Sequence, residues 1–183
     1  MNKKSPVTTI VAIGIGAALF FVLGKFVSIP SPVPNTNIST QYGLLAFMAV
    51  LFGPLAGLLI AFIGHALIDF AAGWGVWWSW VIASGVCGLI MGLLTRKMNI
   101  EERFNGNDAI TFNVAQVIAN IIAWCLIAPL FDIIIYAEPA SKVFLQGVTS
   151  ALLNSVTTAV IGTLLCLAYS KAKPKAGSLR KDE

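Results

Sequence analysis

The chain has 183 residues, of which 57% are hydrophobic and only 11% charged, and its mean hydropathy is +0.85. A soluble domain carries about 25% charged residues, and no polar stretch here approaches domain size, so composition excludes a soluble catalytic domain and describes one helical membrane domain. The net charge of +4 does not point to nucleic acid, because the cations cluster at the ends of apolar segments, where they act as topology signals.

The first hydrophobic segment runs from Val7 to Val27. Lys3 and Lys4 precede it, but its apolar run from Ile10 to Val27 is longer than a signal-peptide core, and no small-x-small cleavage site follows. It therefore reads as a retained span. Its AIGIGAA stretch pairs Ala12 with Gly16 and Gly14 with Ala18, small-xxx-small patterns that let a second helix approach closely. The connection Ser28 to Asn37, SIPSPVPNTN, is proline-rich and predicts an extended outer loop.

The second and third segments, Ile38 to Phe52 and Leu55 to Ala72, are separated by Gly53-Pro54, a strong turn signal. The fourth runs from Trp77 to Thr95, the fifth from Ala109 to Leu130 and the sixth from Val143 to Ser170. Counting six spans places Lys3, Lys4, Arg96, Lys97, Arg103 and the basic tail on one side, leaving only Lys25 and Lys142 towards the other. Merging the second and third spans would break the positive-inside rule. The reading is all-α: a membrane bundle of six transmembrane helices over residues 1–170, with both termini cytoplasmic. A short basic tail follows over residues 171–183. Ala72 to Val76 and Phe131 to Lys142 become outer connections, and Lys97 to Asp108 an inner one.

His65 and Asp69 lie one turn apart on the third span, an ionisable pair in an apolar segment. Such groups are expensive in hydrocarbon and face a bundle interior or a cavity. They read either as a local pair that lowers the cost of both groups or as part of a ligand site. A lone histidine among scattered cysteines speaks against a metal centre, since zinc takes three or four His, Cys or carboxylate ligands. Trp74, Trp77 and Trp78 are candidates either for an interfacial belt or for stacking on a flat ligand, with Trp80 turning back towards the face of Trp77.

Two stripes of polar residues recur at helical spacing. Asn113, Gln116, Asn120 and Trp124 share a face of the fifth span, and Gln146, Ser150, Asn154 and Thr157 share a face of the sixth. Lipid offers amides no partner, so both stripes should face inward. Asn113, Gln116 and Thr157 suit helix-to-helix hydrogen bonds, whereas Asn120, Trp124, Gln146 and Asn154 suit either that role or ligand contact.

TIVAIGIGAALFFVLGKFVSIPSPVPNTNI, LFGPLAGLLIAFIGHALIDF and WWSWVIASGVCGLIMGLL together resemble the UPF0397 family of S components. These are the substrate-binding subunits of energy-coupling factor (ECF) vitamin transporters. The resemblance covers nearly the whole chain and is dense from Thr9 to Leu94. It implies a bacterial, multi-pass cell-membrane protein that captures a vitamin or precursor, with hydroxymethylpyrimidine first and pyridoxine next. It also implies a membrane coupling subunit, the T component, and two cytoplasmic ATPases as partners. Docking through Ala12, Gly14, Gly16 or Ala18, and a lid spanning Ser28 to Gln41, follow from the same resemblance. Asn35, Asn37 and Gln41 on that lid, with His65, Asp69, Asn120 and Asn154, would meet the ligand's edges. The chain has no GxxxxGK[ST] loop, so ATP would be used by the partners and no cofactor by the chain itself. A stand-alone secondary transporter or channel for a small polar solute is the alternative; an intramembrane enzyme lacks a nucleophile set.

Overall fold

The first helix begins where Ser5 accepts a hydrogen bond from the Thr8 N–H and Pro6, which has no N–H to satisfy, occupies the first turn. The computed structural model describes residues 5–172. Lys3, Lys4 and most of the basic tail lie outside the described residues. Helix α1 spans Pro6–Phe26, α2 Gln41–Phe52, α3 Pro54–Ala72 and α4 Trp78–Leu94. Helix α5, Gly106–Asn120, continues through a π-helical segment, Ile121–Ile127, into α6, Ala128–Tyr136; α7 spans Ala140–Ala172.

Boundaries follow local chemistry. Gly53, at φ 89°, ends α2, and Pro54 opens α3 without losing a needed donor. Asn105 and Asp108 form a reciprocal capping box at the start of α5. The proline-rich connection is extended as expected, with β1, Ile29–Pro30, pairing antiparallel to β2, Asn37–Ile38.

Two elements differ from the sequence expectation. The fifth segment does not stop at Leu130: its rod continues to Tyr136, leaving only residues 137–139 as a connection. Asp132, which reads as loop, is instead 2% exposed inside the bundle, where donors at the start of α4 satisfy it. The second segment forms only 12 helical residues, about 18 Å of rise against a ~30 Å hydrocarbon core. By length and composition α1, α3, the α5–α6 rod and α7 can cross a membrane, while α2 and α4 are shorter apolar helices.

Small residues set the packing. At the α3–α4 crossing a Cβ on Gly88 would lie 2.2 Å from the Gly57 carbonyl oxygen, so the backbones touch. Helix α1 lies against α3 with Gly16 under Ile60 and Gly64 under Phe20. Ala12 and Gly16 are therefore buried within the chain, whereas Gly14 and Ala18 face outward beside exposed Val11, Ile15 and Val22. Only the second small-residue pair remains available to a partner.

Candidate functional site

At one end of the bundle a cavity of about 340 Å³ opens among the C-terminal ends of α1, α3 and α6, the N-terminal ends of α2, α4 and α7, and the loop that carries β1 and β2. Trp74, Trp77, Trp80 and Trp124, with Tyr42, form its aromatic surfaces. Trp80 stacks on Trp124 with centroids 5.6 Å apart, and Tyr42 meets Trp124 edge-on at 5.2 Å. Trp77 lies against Tyr136 at 4.4 Å.

Two of these indoles are held by one carboxylate. Asp132 Oδ1 accepts from Trp77 Nε1 at 2.6 Å and from the Ser79 hydroxyl, and Oδ2 accepts from Trp80 Nε1 at 2.7 Å. Its position follows from the π-helical segment. Asn120, Trp124, Ala128 and Asp132 recur every fourth residue and are all at most 2% exposed. An α-helix with its 3.6-residue turn would carry that series steadily around the rod, whereas the wider π turn keeps it on one face.

A second polar chain rises from the floor. Tyr42 Oη lies 2.9 Å from Ser84 Oγ, which lies 2.5 Å from His65 Nδ1. His65 Nε2 faces Asp69 Oδ1 at 3.6 Å, and Asp69 Oδ2 accepts the backbone N–H of Trp77 at 2.9 Å. The pair is thus a contact rather than a closed hydrogen bond, and each member is oriented by another helix.

Asn35, Asn37, Gln41, His65, Asp69, Trp74, Trp77, Trp124, Gln146 and Asn154 all lie on the cavity wall. Trp74 reaches its rim from the α3–α4 connection and is 73% exposed. Asn120 and Trp78 do not line it. Asn120 sits behind the wall, where its Oδ1 accepts from Trp124 Nε1 at 2.9 Å and its Nδ2 donates to Gln116 Oε1 at 3.0 Å. Trp78 turns outward beside Phe62, with centroids 6.0 Å apart, because successive residues of α4 point about 100° apart. On α7 the inward threonine is Thr158; Thr157 bonds carbonyls of its own helix.

The loop forms part of the wall. Pro34 O accepts from Gln146 Nε2 at 2.9 Å, tying the loop tip to α7, and Asn35 adopts the left-handed conformation at φ 59°. Two wall amides keep unpaired buried oxygens, Gln41 Oε1 and Asn154 Oδ1. At the rim Lys142 donates to Glu138 at 2.7 Å. Sequence reasoning missed Asp132, Tyr42, Trp80, Glu138 and Lys142 as wall residues. Asp132 had a readable signal, a carboxylate inside LFDIII, of the kind that marks His65 and Asp69.

Residues 4–171 match the family described as ECF-type riboflavin transporter, S component. A UPF0397 protein of Enterococcus faecalis (strain ATCC 700802 / V583) is 53% identical over 183 residues, covering all of both chains. One from Staphylococcus aureus (strain MSSA476) is 52% identical over 184 residues, again covering both completely. Among solved structures, the S-component for biotin from an ECF-type ABC transporter aligns with a TM-score of 0.66 at 14% identity, over 93% of this chain and 95% of that one. FolT bound with folic acid aligns with a TM-score of 0.59 at 16% identity, over 94% and 96%. Those two likenesses speak for the fold alone.

Proposed function

Because this chain belongs to the family of ECF-type transporter S components, we propose that it captures a small heteroaromatic vitamin or vitamin precursor in the cavity at the loop-covered end of the bundle. Membership makes it a multi-pass membrane protein and a transport subunit for vitamin uptake rather than an enzyme. Hydroxymethylpyrimidine is the first candidate and pyridoxine the next.

The observation that carries this reading is the meeting of stacked indoles with amide and carboxylate side chains around a volume of about 340 Å³. That size stands at the low end of the ~300–1,000 Å³ range of ligand pockets and favours a single ring over a larger cofactor. Indole faces accept the flat ring, and the amides and carboxylates around them meet its polar edges. In this reading the chain uses no cofactor of its own. It docks a membrane coupling subunit, and two ATPases on that subunit supply the energy.

The test is a titration of the purified chain in detergent, following tryptophan fluorescence against hydroxymethylpyrimidine, pyridoxine, thiamin and riboflavin. Saturable quenching by one single-ring compound, weakened at least about tenfold in Trp77→Ala, is expected. Quenching only by riboflavin, or equal affinity in the variant, would overturn the single-ring reading.

A further inference from the structure

We propose that His65 and Asp69 together recognise a hydroxyl group on the ligand. The ligand oxygen accepts from the Nε2–H of His65 and its hydrogen goes to Asp69 Oδ1, while Ser84 and Tyr42 fix which ring nitrogen of His65 carries the proton. The inference rests on the reading of this cavity as the vitamin-capture site and names the group by which that site tells its ligand from close analogues.

The direction of hydrogen bonding along the buried polar chain comes first. Tyr42 Oη and Ser84 Oγ lie 2.9 Å apart, and Ser84 Oγ lies 2.5 Å from His65 Nδ1. Among the described residues the two hydroxyls have no other hydrogen-bond partner. Tyr42 is 5% exposed and Ser84 0%, so each hydroxyl hydrogen needs its acceptor within this chain of groups. One arrangement places both: Tyr42 donates to Ser84, and Ser84 donates to His65 Nδ1. The reverse direction would leave the buried phenol hydrogen without an acceptor. Nδ1 is therefore the bare nitrogen, and the ring carries its proton on Nε2.

The other edge of the ring meets the ligand. His65 Nε2 faces Asp69 Oδ1 at 3.6 Å, beyond hydrogen-bond distance. Neither atom has a hydrogen-bond partner among the described residues, because the backbone N–H of Trp77 is taken by the second oxygen, Oδ2. Both residues line the cavity, with side chains 17% and 9% exposed. Two contacts with α4 hold them apart: Nδ1 is tied to Ser84, and Oδ2 to the N-cap residue Trp77.

The wall thus presents one donor and one acceptor side by side. A single oxygen beside the gap can sit about 2.8 Å from both atoms. It must accept from one and donate to the other, which a hydroxyl does through one atom and a methyl group or an ether cannot. Trp77, whose backbone orients Asp69, also brings its ring to the same wall, so the hydroxyl subsite adjoins an aromatic surface. Ser84, fully buried, acts through His65 as a positioning residue.

His65 is the only histidine in the chain, so its tautomer can be read directly. Nitrogen NMR of the full chain, carrying isotope-labelled histidine and no polyhistidine tag, should show a protonated Nε2 and a bare Nδ1. Fluorescence titration then compares hydroxymethylpyrimidine with the same ring bearing methyl in place of hydroxymethyl, and pyridoxine with its deoxy analogues, one hydroxyl removed in each. Loss of the recognised hydroxyl should weaken binding at least about fiftyfold, because the donor and the acceptor of the site are left unpaired. Asp69→Asn keeps an oxygen for Trp77 but turns an N–H towards Nε2–H, and should cut that discrimination by about tenfold. Ser84→Ala frees Nδ1 to take the proton, and should cut it by about fivefold while moving the histidine resonances. A proton on Nδ1 in the unaltered chain overturns the assignment. So does binding of every deoxy analogue within about threefold of its alcohol, or a discrimination unmoved in both variants, and each of these leaves vitamin capture standing. Silence from all the compounds removes the single-ring reading, and the hydroxyl subsite with it.

Discussion

The indole N–H of Trp77, at the N-cap of α4, lies 2.6 Å from Oδ1 of Asp132 on α6, although 55 residues separate them in sequence. The other carboxylate oxygen takes Trp80, so one buried side chain holds two rings of the cavity wall at fixed angles. Hydrogen bonds to an ionised group are worth about 1.5–3 kcal/mol each, and their direction matters more here than their sum. Without that anchor the indoles could rotate about their side-chain bonds, and a stacking platform would become a pair of loose rings.

Asp132→Asn tests the anchor. The amide leaves one acceptor oxygen for three donors and turns an N–H towards at least one of them. Ligand affinity should fall by about tenfold or more, in keeping with ~1–3 kcal/mol for an unmet buried donor. The tryptophan emission of the ligand-free protein should change as well. Unaltered affinity together with unaltered emission would mean that the rings are held by packing alone.

Gln146→Ala tests the loop. Its side chain joins α7 to Pro34 at the loop tip through a single hydrogen bond of 2.9 Å, while Ser31, Val33 and Thr36 fold the tip upon itself. Losing about 1 kcal/mol from the closed state should speed ligand release about fivefold with little change in the association rate. Stopped-flow fluorescence separates the two rates. A release rate equal to that of the unaltered chain would place the closing contact elsewhere.

The two small-residue pairs of α1 should respond in opposite ways. Gly14 has no atom within 4 Å of an added Cβ, so Gly14→Leu should leave folding and ligand binding intact and abolish transport with the coupling subunit and its ATPases. Gly16 has Ile60 at 2.7 Å, so Gly16→Leu should lower the unfolding temperature of the isolated chain, with overpacking costing about 1–3 kcal/mol. Co-purification of the ATPases with the Gly14 variant at normal yield would show that this face does not dock them.

Apolar segments, their Gly and Pro punctuation and the cost of an ionisable group in hydrocarbon are local properties. For that reason the sequence alone determined the helical membrane class, the break at Gly53-Pro54, the extended loop after α1 and the interest of His65 and Asp69. It also set which face of α5 turns inward and, Thr157 apart, which face of α7 does, because amides find no partner in lipid. Tertiary structure decided the rest. Whether Gly14 or Gly16 faces outward depends on where Ile60 lies, and nothing in α1 states that. Trp80 rather than Trp78 joins the wall because of the face that α4 turns to its neighbours. Asp132 becomes an anchor only because a π-helical stretch holds every fourth residue on one face, and Asn120 becomes its counterpart behind Trp124 for the same reason. Those outcomes hang on contacts between distant parts of the chain, where the energy of a fully satisfied buried polar group outweighs any local preference.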